Sequence, residues 1–269
     1  LILLGAAEET GLLAALFGSL SELREQEDFG IYAHESQRSL LLSLLFMNLF
    51  GLERPYDLRG YSGDGLALMT GREQAYGYES CNRFLGLLAR SDGASSLTRV
   101  VGVWSHELWG DIEDSRYYVD MHRKPVYSQT NLPQGLIGRT GQIMRCRGIG
   151  LLHDGAGHPR LAMVVPGDTH LTKQLPLLLE SYTDMVGEGV IKEVVVDREA
   201  LSGSLLEELG SDYQIITLLR RDQYQDVDSF ENVGQFQAIA DRKGCEVAYA
   251  QFVMTVSDDQ PERSLTVTV

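Results

Sequence analysis

The sequence predicts an α/β fold: a mixed sheet with flanking helices, preceded by a mainly helical N-terminal region. Three observations carry this. Before Gly110 apolar residues recur at three-to-four spacing; after Ser115 come short runs of strand type; and beyond Leu171 helical and strand patterns alternate, as in a βαβ unit. The 269 residues, 43% hydrophobic and 23% charged, allow one large domain or two small ones with a sizeable core.

In the N-terminal region, "LLLSLLFMNLFGL" (40–52) is apolar nearly all round, the pattern of an enclosed helix. "GYSGDGLALMTGREQAYGY" (60–78) is glycine-rich and reads as loops and turns. In 96–109, Leu97, Val100, Val101, Trp104, Leu108 and Trp109 make one apolar helical face, with Asp92 or Ser95 as its cap. The acidic link "DIEDS" (111–115) marks the boundary, giving a helical region over 1–112 and an α/β domain over 113–269.

That domain opens with "RYYVDMH", "GQIMRCRGIGLLHD" (141–154) and "RLAMVVPGD" (160–168) as strands. "DGAGHP" (154–159) turns the second into the third as a hairpin. A helix follows, with Leu171, Leu175, Leu178, Leu179, Tyr182 and Val186 on one face. Pro176 suits a first turn, placing the regular start near Leu175, with Asp168 or Thr169 as a candidate cap; Gly187 and Gly189 end the helix. "VIKEVVVD" is the next strand, "REALSGSLLEELG" the next helix, with Leu201, Leu205, Leu206 and Leu209 on one side, and "YQIITLLRR" the last strand. The right-handed crossover this implies puts Asp197 at the carboxyl end of a parallel strand, where open α/β sheets place ligands.

The net charge of −15 repels nucleic acid at long range, so a DNA-handling role needs a local basic patch or metal ions. Cys81, Cys146 and Cys245 are odd in number and fit no zinc spacing; free thiols in a reducing, cytoplasmic compartment are the expectation. Glu8 and Glu9 follow the first apolar run, unlike a signal peptide, and the longest apolar run falls short of the ~20 residues of a membrane span. A start without methionine and an abrupt end point to a piece of a longer protein.

Asp120 and Asp197 each close an apolar strand run, Tyr117-Tyr118-Val119 and Val194-Val195-Val196. On neighbouring strands the two carboxylates would meet at one edge and repel, unless a divalent cation such as Mg²⁺ offsets them. Two such ions serve in-line phosphodiester displacement. The plainer alternative for either aspartate alone is a strand-end loop cap.

The stretches "NLFGLERPYDLRGYSGDGLALMTGREQAYGY" and "YYVDMHRKPVY…GLLHDGAGHPRLAMVVPGDTHLT…VVVDREALSG…YQIITLLRRDQY" together resemble bacterial insertion-sequence transposases of the DDE type. The resemblance covers most of the chain and lies in the order of the motifs. It implies a ribonuclease-H-like domain, with Asp120 on the first strand and Asp197 after the fourth as catalytic ligands of Mg²⁺ or Mn²⁺. It also implies DNA cleavage and strand transfer, with water as first nucleophile and a DNA 3′-hydroxyl as second. The partners it implies are transposon-end and target DNA and a second copy of the chain, with no membrane. The family's third acid is a glutamate on a later helix in a Tyr…Arg…Glu…Lys pattern. None is found before Val269; Glu231, Glu246 and Glu262 lie on no convincing helix, and the segment from Val247 onward reads as strands of an insertion. The domain is therefore expected to be incomplete at its C-terminus, and a truncated remnant that at most binds DNA or self-associates is the main alternative.

Arg123, Lys124, Arg198, Arg220 and Arg221 are the basic residues near the proposed acids and are expected to contact DNA phosphate; Arg139, Arg145 and Arg147 add a second group on a hairpin. His122 shares a strand face with Asp120 by alternation. His153, Asp154 and His158 are better explained by turn chemistry than by a metal site, and Lys173 by solvation. A haloacid-dehalogenase-like phosphatase would need Asp-x-Asp where Asp120-Met121-His122 stands, and a helical interaction module has only an ordinary amphipathic face behind it.

Overall fold

The computed structural model describes residues 2–23, 33–61, 63–110, 115–127, 130–198, 202–218, 230–239, 242–257 and 260–268, with backbone alone at 254–257 and 260–265. The chain forms two units, Leu1–Gly110 and Asp111–Val269.

The first unit contains α1 (Ile2–Glu9), α2 (Leu12–Leu23), α3 (His34–Met47), α4 (Asp64–Met69), α5 (Tyr78–Arg90) and α6 (Gly93–Trp109). Leu20, Leu40, Leu66, Cys81 and Phe84 form its fully buried centre. The glycine-rich stretch expected to be loop holds α4, because Leu66, Ala67 and Met69 give that turn a buried face. Two of its glycines serve close packing: a Cβ on Gly65 would lie 2.8 Å from the Phe50 ring, and one on Gly63 2.8 Å from the Ala75 Cβ. In α6 the expected apolar face holds only in part: Leu97 packs against the core and Val100 and Trp104 are half-buried. Val101, Leu108 and Trp109 are exposed, while Gly93, Gly102 and Ser105 are buried. Small residues make the seam, as the Ser96–Ser19 hydroxyl contact of 2.7 Å between α6 and α2 shows. Asp92 stands at the N-cap in a left-handed conformation and its side chain makes no cap bond. Among the described residues no single helix is long and apolar enough to cross a membrane; α1 and α2 reach that test only jointly, across a 70° bend.

The second unit is mixed α/β. It contains β1 (Arg116–Pro125), β2 (Gln134–Ile137), β3 (Gln142–Asp154), β4 (Pro159–Pro166), α7 (Leu171–Val186), β5 (Glu193–Val196), α8 (Gly203–Leu209) and β6 (Gln214–Ile216). One six-stranded sheet runs β2-β3-β1-β5-β6, and β4 also pairs with β3. β3 is antiparallel to β1, β2 and β4, whereas β5 is parallel to both β1 and β6. The three opening strands, the hairpin at 154–159 and the parallel βαβ unit all follow the sequence pattern. β2 is an addition, a four-residue strand between turns. β7 (Gln237–Ala238) pairs with β8 (Glu246–Val247), and β9 (Gln251–Ser257) with β10 (Gln260–Thr268), as separate two-stranded sheets.

Strand alternation sorts the sheet into two unlike faces. Tyr117, Val119, Leu152, Val194 and Val196 pack with Leu175, Leu178, Leu179 and Tyr182 of α7 and with Leu205 and Leu209 of α8. Both helices thus cover the same face. Burying an aliphatic side chain of this size contributes about 1.5–3 kcal/mol, so this layer is the main source of the unit's stability. The other face carries Tyr118, Asp120, Ile149, Leu151, Val195 and Ile216, none of them fully buried.

Two helix starts differ from the sequence reading. α7 begins at Leu171 with His170 at its N-cap, and neither Asp168 nor Thr169 caps it. Pro176 therefore lies inside the helix, where its missing N–H leaves the Thr172 carbonyl without its i+4 donor. Burial of Leu171, Gln174 and Leu175 against the sheet offsets that loss. α8 begins at Gly203, capped by the Ser202 hydroxyl accepting from the Leu205 amide at 3.3 Å. Leu201 lies outside the described residues.

The turn after β4 is fixed by close approach. A Cβ on buried Gly167 would stand 2.4 Å from the Cys146 carbonyl oxygen. The Gly167 carbonyl accepts from the Arg123 Nε at 3.1 Å. Gly167→Ala is therefore expected to cost about 1–3 kcal/mol and to lower the melting temperature by several degrees, measured by circular dichroism. A melting curve identical to the wild type would show that the turn can shift without loss.

Candidate functional site

The pairing of β1 with β5 matches Tyr117 to Val194, Tyr118 to Val195 and Val119 to Val196. The next residues in that register are Asp120 and Asp197. Neighbouring strands lie about 4.8 Å apart, and residues in register point to the same face. The two carboxylates are therefore neighbours, on the face that α7 and α8 leave open, and both are exposed.

Local hydrogen bonding orients them. Asp120 Oδ1 accepts the Met121 amide at 2.8 Å, and Asp197 Oδ1 accepts the Arg198 amide at 2.7 Å. The Val126 amide bonds the Arg145 carbonyl on the β3 side, so by alternation the Met121 amide faces the β5 side. β5 has ended by that point, and the Asp120 carboxylate takes the place of the missing ladder partner. Each aspartate keeps its Oδ2 free of hydrogen bonds among the described residues. A shallow depression of about 360 Å³ is lined by both, together with Tyr118, His153, Ile216 and Leu218. Its aromatic wall is a cross-strand stack: the Tyr118 and His153 rings lie 5.4 Å apart at 12°. His153 Nδ1 donates to the Asp154 carbonyl at 2.9 Å, which holds the ring in place.

The basic residues divide. Arg123 lies on the α7 side of β1, where its guanidinium donates to the Gly167 and Thr169 carbonyls at 3.1 and 3.4 Å. It braces the turn after β4, away from the aspartates. Lys124 is exposed and shares the parity of Asp120 and His122, hence their face; Arg198 is exposed and adjoins Asp197. Arg220 and Arg221 lie outside the described residues. Of the late glutamates, Glu231 forms a bridge with Gln251, Glu246 is in β8 and Glu262 falls within β10, so none is on a helix. Among the described residues no three His, Cys, Asp or Glu side chains gather as a metal-binding group.

The hairpin cluster is turn chemistry with one residue that sequence reading passed over, Arg160. Asp154 Oδ1 accepts the Ala156 and His158 amides at 2.9 Å, and Oδ2 meets His158 Nδ1 and Arg160 Nη2, each at 2.9 Å. Arg160 was hidden by its place beside a proline at a strand start, where an arginine reads as solvated. No family model matches the chain, and no curated protein matches it at a significant level.

Burial pushes the Asp154 carboxyl up, but the His158 amide, the His158 ring and Arg160 outweigh that and hold it at about 2. A depressed carboxyl adds stability above its unfolded value of 3.8 that disappears as pH falls through the folded one. The contribution is about 2 kcal/mol, and it should fade between pH ~4 and pH ~2 in denaturant titrations. Asp154→Asn should cost about 3 kcal/mol at neutral pH by leaving the buried Arg160 cation without its carboxylate, and should flatten that acid limb. An unchanged acid limb in the variant would assign it to another group.

Proposed function

We propose that the α/β unit is the catalytic core of a DNA-cleaving and strand-joining enzyme of the DDE transposase type, built on a ribonuclease-H-like sheet. The observation that carries this reading is the register of β1 and β5, which sets Asp120 beside Asp197 on an open sheet face. The element order supports it: apart from the short added β2, it runs three antiparallel strands, a helix, a parallel strand, a helix and another parallel strand. This is the order that the motif resemblance implies.

The donor set suits a hard divalent cation. Mg²⁺ is commonly held by one or two carboxylates, with waters and substrate phosphate completing its shell. Asp120 and Asp197 would hold Mg²⁺ or Mn²⁺ through oxygens that no protein donor occupies. When bound, the cation lowers the pKa of the attacking hydroxyl and stabilises the leaving oxygen. The chain's own residues position the substrate. The Tyr118–His153 stack walls the depression beside the acids, and Arg198 and Lys124 supply positive charge for phosphate. DNA is the partner, a second copy of the chain is the natural co-worker of strand transfer, and the cytoplasm is the compartment.

A second reading is favoured by one specific observation: no third carboxylate joins the pair among the described residues. A chain lacking it would be a remnant that binds DNA without cutting it.

Nicking of supercoiled plasmid by the purified chain separates the two. With Mn²⁺ or Mg²⁺ the active reading expects nicking that Asp120→Asn or Asp197→Asn each lowers at least ~100-fold, the scale of several kcal/mol in the barrier. Background nicking that is equal with and without Mn²⁺ selects the remnant.

A further inference from the structure

On the open face of the sheet two cations stand directly opposite each other. Lys124 of β1 pairs in register with Arg147 of β3, and both are exposed. The Cα separation of such a hydrogen-bonded pair is about 5.5 Å, and like charges directly opposite on adjacent strands destabilise a sheet. Neighbouring arginines are already engaged. Arg116 meets Glu193 at 2.6 Å, Arg160 meets Asp154 at 2.9 Å and Arg123 donates to backbone carbonyls. Lys124 and Arg147 form no ion pair or side-chain hydrogen bond among the described residues. The pairing is unfavourable unless an anion occupies it.

Its position is as informative as its charge. Asp120 pairs with Leu151, so the cations lie four residues along from the acids on both strands and on the same face. Four strand residues span about 13 Å. This exceeds the Debye length of about 8 Å at physiological salt, so the aspartates do not neutralise the cations.

We infer that Lys124 and Arg147 form a phosphate clamp for the backbone of duplex DNA, set along β1 from the acid pair. The inference rests on the nuclease reading for its direction. With one phosphate per strand for about every 3.4 Å of duplex axis, a clamp set about 13 Å along that axis grips the backbone about four base pairs from a phosphate at Asp120 and Asp197. The lysine supplies a compact charge and the arginine a planar fork suited to two phosphate oxygens. DNA fits better than an acidic peptide, because a duplex presents fixed phosphates that can reach the acid pair and the clamp together.

The test is fluorescence anisotropy of a labelled duplex of about 20 base pairs with the full chain, in EDTA, between about 50 and 200 mM salt. Each phosphate contact contributes about 0.9 to the slope of log K against log salt, so the Lys124→Ala/Arg147→Ala double variant should lose about 1.8. Lys124→Glu gives the sharper signature. It should create a cross-strand ion pair with Arg147, melt no lower than the wild type, and lose the same slope. Unchanged slopes in both variants overturn the clamp. So does a wild-type chain with no measurable DNA binding, and so does displacement of DNA by poly-glutamate at equal charge. Slope loss in a chain that never nicks plasmid supports the clamp and removes the cleavage reading alone. Metal-dependent nicking with unchanged slopes does the reverse.

Discussion

The site depends on one constraint, the parallel pairing of β1 with β5 in the register that matches Val119 to Val196. Side chains on a strand alternate between faces, so a slip of one residue would turn one aspartate into the layer beneath α7 and α8. The buried side of that pairing prevents the slip. Tyr117, Val119, Val194 and Val196 must all face Leu175, Leu178 and Tyr182 to keep the core closed. The packing that stabilises the unit thus also sets the two carboxylates side by side.

The faces of the sheet divide the work. The α7 and α8 face is mainly apolar and closed, and several of its polar members serve the backbone, as with Gln174 Nε2 donating to the Met163 carbonyl and Arg123 to the turn after β4. The open face holds the ionisable groups with unfilled capacity: the Oδ2 atoms of the aspartates at one end, and Lys124 with Arg147 at the other. Salt at physiological strength separates these two regions electrically, so each can meet its own ligand. The proposed reaction requires that arrangement, with a cation at the acids and a polyanion at the bases, in a chain whose overall charge of −15 disfavours nucleic acid everywhere else.

Local pattern sufficed for elements whose residues report their surroundings one at a time. The runs ending in Asp120 and Asp197, the turn at 154–159 and the leucine face of α7 follow from alternation, turn chemistry and helical spacing. It failed where partners decide. The helix over Asp64–Met69 is hidden among glycines, of which Gly65 admits the Phe50 ring, and the buried positions of α6 include Gly102 and Ser105, which carry no apolar signal. Arg123 looked like a phosphate ligand near Asp120, but an odd number of steps along a strand, here three, reverses the face.

By itself the sequence determined which apolar strand runs meet an aspartate, where the helices of the second unit stop, and that the chain is strongly acidic. Only the tertiary structure decided that Asp120 and Asp197 are neighbours, that Arg123 braces a turn and that Lys124 meets Arg147. Those facts depend on strand order and register, which are set by the summed packing of side chains distant in the chain and are encoded in no single stretch of it.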